Sequence, residues 1–179
     1  MPPRRDPDAP VIAPFEVLRD TQEKKPYLFE GLRTDACQGR RPLLVPVIDA
    51  KLRTGDYSIL GMEDMVTVER KSKDDFFRTI GQERASFKRE LARMQEIKHA
   101  TVIVEAEWSE IRASPPEFSK MRVNNLFRTV IHWMSEFRNV HWVFMPSRRE
   151  AEIATYRRLE VAGKKEKRKL SVSAACLRE

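Results

Sequence analysis

Between Asp56 and Lys71 the chain switches faces residue by residue, and this alternation limits the fold more than any other feature. Asp56 to Ile59 and Met65 to Lys71 each read as a short strand. The Leu60-Gly61-Met62-Glu63-Asp64 connection between them is rich enough in turn-formers to reverse the chain. Side chains of the second strand project alternately, so Val66, Val68 and Arg70 share one face while Thr67, Glu69 and Lys71 share the other. If the strands pair in the expected register, Asp56 joins Glu69 and Lys71 on one surface.

A charged strand face is ordinarily solvated surface laced with cross-strand ion pairs, and an isolated Glu-x-Lys carries no more than that. Two carboxylates and a lysine on one face can do something else. Magnesium takes one or two carboxylates and fills its octahedron with water and substrate phosphate. A lysine beside it can orient an attacking hydroxide or stabilise charge developing on a phosphoryl group. The whole string decides between these readings: Gly55-Asp56-Tyr57, then Val68-Glu69-Arg70-Lys71-Ser72, then Asp75 with Phe76, Phe77 and Ile80. In order and in spacing it resembles the XPF-like family of structure-specific nucleases, whose signature runs Gly-Asp, a variable spacer, Glu-Arg-Lys, three residues and an Asp.

The resemblance extends over roughly Phe15 to Arg158. Upstream, Asp20-Thr21-Gln22-Glu23 is similar to the family's Asp-x-Arg-Glu, with Gln22 where the family has arginine. Downstream, Gly81-Gln82-Glu83-Arg84 and Glu90-Leu91 are a looser match to the segment that opens a long helix in relatives, and Thr101 to Glu105 is similar to a buried strand ending in Glu. The resemblance implies a restriction-endonuclease-like α/β fold with a mixed central sheet flanked by helices, and metal-dependent cleavage of branched, flapped or junction DNA with Mg2+ or Mn2+. Carried over by position, Asp56, Glu69 and Glu23 are metal ligands, Lys71 assists the nucleophile, and Asp20, Arg70 and Asp75 complete the site. Two other readings share these residues: a DNA-binding or scaffolding member that cleaves nothing, and a restriction or recombination nuclease on the same fold.

Past Asp75 the apolar period lengthens from two to about 3.6. Phe87, Leu91, Met94 and Ile97 predict a helix whose other side carries Arg84, Lys88, Arg89 and Arg93; of these Arg84 and Lys88 are the candidate DNA-backbone contacts. A strand over Ala100 to Val104, a helix over Ser119 to Phe137 with Val123, Phe127, Val130, Met134 and Phe137 on one side, a strand over His141 to Met145 and a helix over Ser147 to Leu159 follow. Before the hairpin, Lys25 to Leu32 is expected as a short helix and Leu43 to Leu52 as a strand. Alternating strands and helices argue an α/β sandwich.

Three segments are expected: a disordered proline-rich leader over 1–14, a nuclease domain over 15–159 and a basic tail over 160–179. The net charge of +7 is concentrated late, with seven basic and two acidic residues between Arg157 and Leu170. Lys164 and Lys165 in that run are candidate sequence-independent phosphate contacts, although a charge run is as readily a solvated extension. Cys37 and Cys176 indicate no disulfide framework, and His99, His132 and His141 lack metal-ligand spacing. No run approaches a membrane span and no Gly-Lys-Ser/Thr phosphate loop is present, so neither a membrane partner nor a nucleotide cofactor is expected. The chain is expected inside the cell, with DNA as partner. A homodimer, if formed, would use the nuclease domain itself.

Overall fold

The computed structural model describes residues 9–117, 119 and 122–176, with side chains through residue 169. Its centre is a six-stranded mixed sheet. In chain order these strands are β2 (Val17–Asp20), β5 (Val47–Ala50), β6 (Tyr57–Ile59), β7 (Val66–Lys71), β8 (His99–Val104) and β9 (Val140–Phe144), arranged across the sheet as β5-β2-β6-β7-β8-β9. The β2, β6 and β7 neighbours are antiparallel, whereas β2 with β5, β7 with β8 and β8 with β9 are parallel. This is the restriction-endonuclease-like α/β arrangement that the family resemblance implies, and it is consistent with the α/β sandwich that the alternating elements argue. Among the described residues no helix is long and apolar enough to cross a membrane.

Parallel neighbours need crossovers, and these place helices on the faces. Between β7 and β8 run α1 (Lys73–Ile80) and α2 (Arg84–Gln95); between β8 and β9 run α3 (Trp108–Ala113) and α4 (Val123–Glu136). Their apolar sides meet Ala100, Val102 and Val104 of β8 in one core. The alternate β8 residue Ile103, with Val66 and Val68, belongs to a second core on the opposite face, under α5 (Arg148–Cys176). The sheet is therefore buried on both sides, which accounts for the unbroken apolar run of β8.

Four expectations need correction. Lys25 to Leu32 is not a helix: Pro26 interrupts it, Phe29 and Gly31 take positive φ of 56° and 63°, and its amides are engaged elsewhere. The Tyr27 amide donates to Tyr57 Oη at 2.7 Å, and those of Leu28 and Phe29 to Glu152 Oε1 at 3.0 and 2.6 Å. Leu43 to Leu52 is two strands, β4 (Pro42–Leu44) and β5, split at Val45-Pro46. The leader does not stand wholly apart, because β1 (Val11–Ile12) runs parallel to β4, which also pairs with β3 (Leu32–Arg33) in a small second sheet; residues 1–8 lie outside the described ones. Finally, α4 buries Leu126, Thr129, Val130 and Trp133, while Phe127 of the expected stripe is 47% exposed.

The expected basic tail is helical and docked. Beyond Leu159, α5 continues with Ala162, Gly163 and Glu166 buried against the sheet and Lys164, Lys165, Lys167 and Lys169 exposed. A Cβ on Gly163 would meet Ile59 Cδ1 at 3.0 Å, so glycine permits the helix to lie this close. The Glu166 carboxylate joins Lys98 Nζ at 2.7 Å and His99 Nε2 at 2.9 Å, and Lys167 Nζ donates to the Pro14 carbonyl at 2.8 Å. Residues 177–179 of the tail lie outside the described residues.

Candidate active site

The Gly55-Asp56 step owes its form to backbone crowding. Gly55 has φ of 76°, and a Cβ there would lie 2.1 Å from Thr67 Oγ1 and 3.1 Å from the Val68 carbonyl. Glycine alone satisfies both the left-handed backbone and the close approach. The Asp56 amide then donates to the Val68 carbonyl at 2.8 Å and its own carbonyl accepts from the Asp20 amide at 2.8 Å, tying the start of β6 to both neighbours.

Tyr57 pairs with Val68 in antiparallel register, so Asp56 stands opposite Glu69 and on the same face. That face looks toward α1 and α2. Glu69 is 4% exposed and its carboxylate accepts a hydrogen bond from Lys71 Nζ. The Lys71 ammonium sits 4.8 Å from the centroid of the Phe87 ring of α2. Asp56 Oδ2 accepts from the Arg70 amide at 2.6 Å. One helical turn beyond Phe87, Glu90 is close enough to act electrostatically on Asp56, Glu69 and Lys71. It is the functional candidate that sequence reasoning missed; its spacing of three from Phe87 was the available signal.

The electrostatics follow from crowding acids together out of water. Burial pushes the Asp56 carboxyl up to about 7; the Arg70 amide and Lys71 oppose this, while Glu23 and Glu90 add to it. Glu69 is also raised well above the carboxylate range, by burial first and then by Asp56, against the pull of Lys71. Burial disfavours the Lys71 ammonium, but Glu69, Glu90 and Asp56 outweigh it and hold that pKa above the usual lysine value. Lys71 is a cation at neutral pH and serves as a donor, not as a base.

Arg70 points to the opposite face, into a separate network. Its guanidinium grips Glu105 with Nε to Oε1 at 2.7 Å and Nη2 to Oε2 at 2.8 Å, and reaches Glu23 at 3.3 Å. Tyr27 Oη donates to Glu105 Oε1 at 2.8 Å, and Arg148 Nη1 approaches the same oxygen at 3.0 Å. Burial alone would raise Glu105, yet the hydrogen bonds from Arg70 and Tyr27 hold it below the usual range. Glu23 is thus paired with Arg70, at the rim of the Asp56 site.

Asp20 accepts from the Leu52 amide at 3.1 Å and fastens the loop leading to Gly55. Ser72 caps α1: its Oγ donates to Asp75 Oδ2 at 2.6 Å and accepts from the Asp75 amide at 3.2 Å. The candidate DNA contacts are differently placed. Arg84 stacks on Trp133 with its Cζ 5.4 Å from the ring centroid and donates to Thr129 Oγ1 at 2.7 Å, and Lys88 pairs with Glu136 at 2.8 Å, so both tie α2 to α4. Lys164 pairs with Glu160 at 2.9 Å and Lys165 projects from α5, on the far side of the sheet from Glu69.

Asp56, Glu69, Lys71 and Asp75 open into a cleft of about 580 Å³, also bounded by Gln22, Glu23, Lys24 and Arg78. Among the described residues no three His, Cys, Asp or Glu side chains form a ready-made metal cage. The donor set nevertheless fits a hard divalent cation. Asp56 and Glu69 repel each other in a buried setting that one lysine does not neutralise, and two carboxylates are the usual protein share of a magnesium site.

Comparison with known proteins bears on the family and the fold. The ERCC4 domain matches residues 25–155. Two solved structures of XPF from Aeropyrum pernix superpose with TM-scores of 0.58 and 0.60, at 17% and 19% identity; the second is a complex with DNA. The superpositions cover 82% and 84% of this chain but only 61% and 66% of those chains. No curated protein matches.

Proposed function

The chain belongs to the ERCC4 domain family and has the fold of an XPF-like nuclease domain; on that premise we propose that it is a metal-dependent DNA endonuclease of the structure-specific kind, acting inside the cell on branched, flapped or junction DNA. The observation that carries the reading is the convergence of Asp56, Glu69 and Lys71 on one sheet face at the floor of an open cleft. DNA as the substrate class draws further support from the DNA complex of the structurally similar XPF.

Asp56 and Glu69 would hold Mg2+ or Mn2+, with Glu23 able to join them if it turns from Arg70. Bound there, the cation would lower the pKa of a water and polarise the phosphoryl oxygens. Lys71 donates hydrogen bonds, orienting the nucleophile and countering negative charge on the phosphoryl group undergoing attack. Phe87 packs beside its ammonium and limits the positions that it can take. Glu69 first and Glu90 next favour its charged form. Arg70, held by Glu105 and Glu23 behind the strand, fixes the backbone whose amide binds Asp56, and so acts as a positioning residue. A homodimer would close through α4, where Phe127 and Ile131 are exposed.

The test compares wild type with Lys71→Ala on labelled flap, fork and linear duplexes in Mg2+, Mn2+ or chelator. Metal-dependent cutting near the junction, lost in Lys71→Ala with DNA binding retained, is expected. Binding without cutting by wild type would establish the non-cleaving alternative instead, and cutting linear duplex at one sequence would identify a restriction-type enzyme.

A further inference from the structure

On the reverse face of the sheet, between β7, β8, β9 and α5, lies a separate pocket of about 160 Å³. Its floor is Val66 and Val68, and its polar groups are His99, Thr101, His141, Arg158 and Lys165. Among the described residues no acidic side chain lines it. The alternation of β7 puts this pocket on the opposite side of the sheet from Glu69 and Lys71.

Arg158 is the unusual member. Its guanidinium is partly buried and donates through Nε to the neutral Thr101 Oγ1 at 3.0 Å. Burial is the sole cause of a lowered pKa, with no carboxylate opposing it, whereas buried charges are ordinarily paired. Two acids of α5 near it are already held elsewhere, Glu160 by Arg157 and Lys164 and Glu166 by Lys98 and His99. His141 stands beside Thr101 in the β8–β9 register, and burial followed by the charges of Arg158 and His99 lowers its pKa.

We propose that this pocket binds a phosphate group, held by Arg158, His141 and Lys165. A guanidinium with free terminal N–H groups matches two phosphate oxygens at once. An apolar floor strengthens the attraction by excluding water. The volume falls short of the roughly 300 Å³ where organic-ligand sites begin, so a single oxyanion fits and a nucleoside does not. The source is either free inorganic phosphate or the terminal phosphate of a nucleic-acid strand.

The 179-residue chain in chelator is titrated with inorganic phosphate, with chloride at matched ionic strength as control, while the His141 imidazole is followed by NMR. Saturable binding that raises the His141 pKa by about one unit is expected. Arg158→Gln should weaken it about tenfold or more. Lys165→Ala, at an exposed helix position, should weaken it about threefold without touching the fold. An equal response to chloride, or wild-type phosphate affinity in both variants, overturns the proposal. Competition by a 5′-phosphorylated but not an unphosphorylated oligonucleotide identifies a strand end; phosphate binding without such competition identifies the free ion. Cleavage at the Asp56 site plays no part in this readout, so failure of either assignment leaves the other standing.

Discussion

Replacing Asp56 by asparagine should abolish cleavage and, in the absence of metal, make the protein more stable. The carboxyl titrates near 7 in the fold because burial and neighbouring acids disfavour its charge. Unfolded, it titrates near the ordinary aspartate value of about 3.9. The folded state therefore binds the proton more tightly, and stability falls as pH rises from about 4 to about 7, then levels off. A shift of about three units at about 1.4 kcal/mol each bounds the penalty at about 4 kcal/mol. Partial solvent access and screening reduce the working figure to about 2 kcal/mol. Asparagine preserves the shape and an acceptor for the Arg70 amide while removing the charge. Thermal unfolding in chelator at pH 8 should place Asp56→Asn above wild type by about 4–8 °C, the advantage vanishing near pH 4. Magnesium at pH 8 should raise wild type and leave the variant unmoved. An Asp56→Asn protein less stable than wild type by the same margin at both pH values would refute the buried-charge reasoning.

Gly55→Ala should destabilise by about 2–5 kcal/mol in urea unfolding, combining left-handed backbone strain with the overlap on Thr67. Glu90→Gln should remove one of the charges that raise Asp56, so that in chelator the Asp56 carboxyl titrates below about 7, followed by carbon NMR. Truncation after Val161 should lower the melting temperature markedly by exposing the surface that Ala162, Gly163 and Glu166 cover, whereas neutralising exposed Lys164 and Lys167 should leave the melting temperature within a few degrees. Glu105→Ala should cost about 3–5 kcal/mol, because Arg70 would remain buried with its main partner gone.

The hairpin was legible because strand alternation and one antiparallel register suffice to place Asp56, Glu69 and Lys71 together. What could not be read depends on distant partners. Lys25 to Leu32 looked helical because the sequence does not reveal that Tyr57 and Glu152 take its amides. The pairing of Arg70 with Glu105 joins β7 to the end of β8; the sequence marks Glu105 as the end of a buried strand but not which basic residue it meets. Arg84 and Lys88 read as outward charges because the position of α4 fixes where they point. The charge run after Leu159 obscured the spacing of Ala162, Gly163 and Glu166, which is that of a packed helix face.

The Arg70 network has a consequence for the order in which the protein comes into being. It draws together Glu23 and Tyr27 from near the beginning, Glu105 from the middle and Arg148 from the start of the last helix. A chain emerging from the ribosome cannot complete this cluster until residue 148 is free. Until then Glu105 has only one of its two arginine partners, and the strand bearing Glu69 and Lys71 lacks the helix that packs behind it. On the proposed function, competence to cut would accordingly arise late in synthesis, and a fragment ending before residue 148 would hold the signature residues without the complete network behind them.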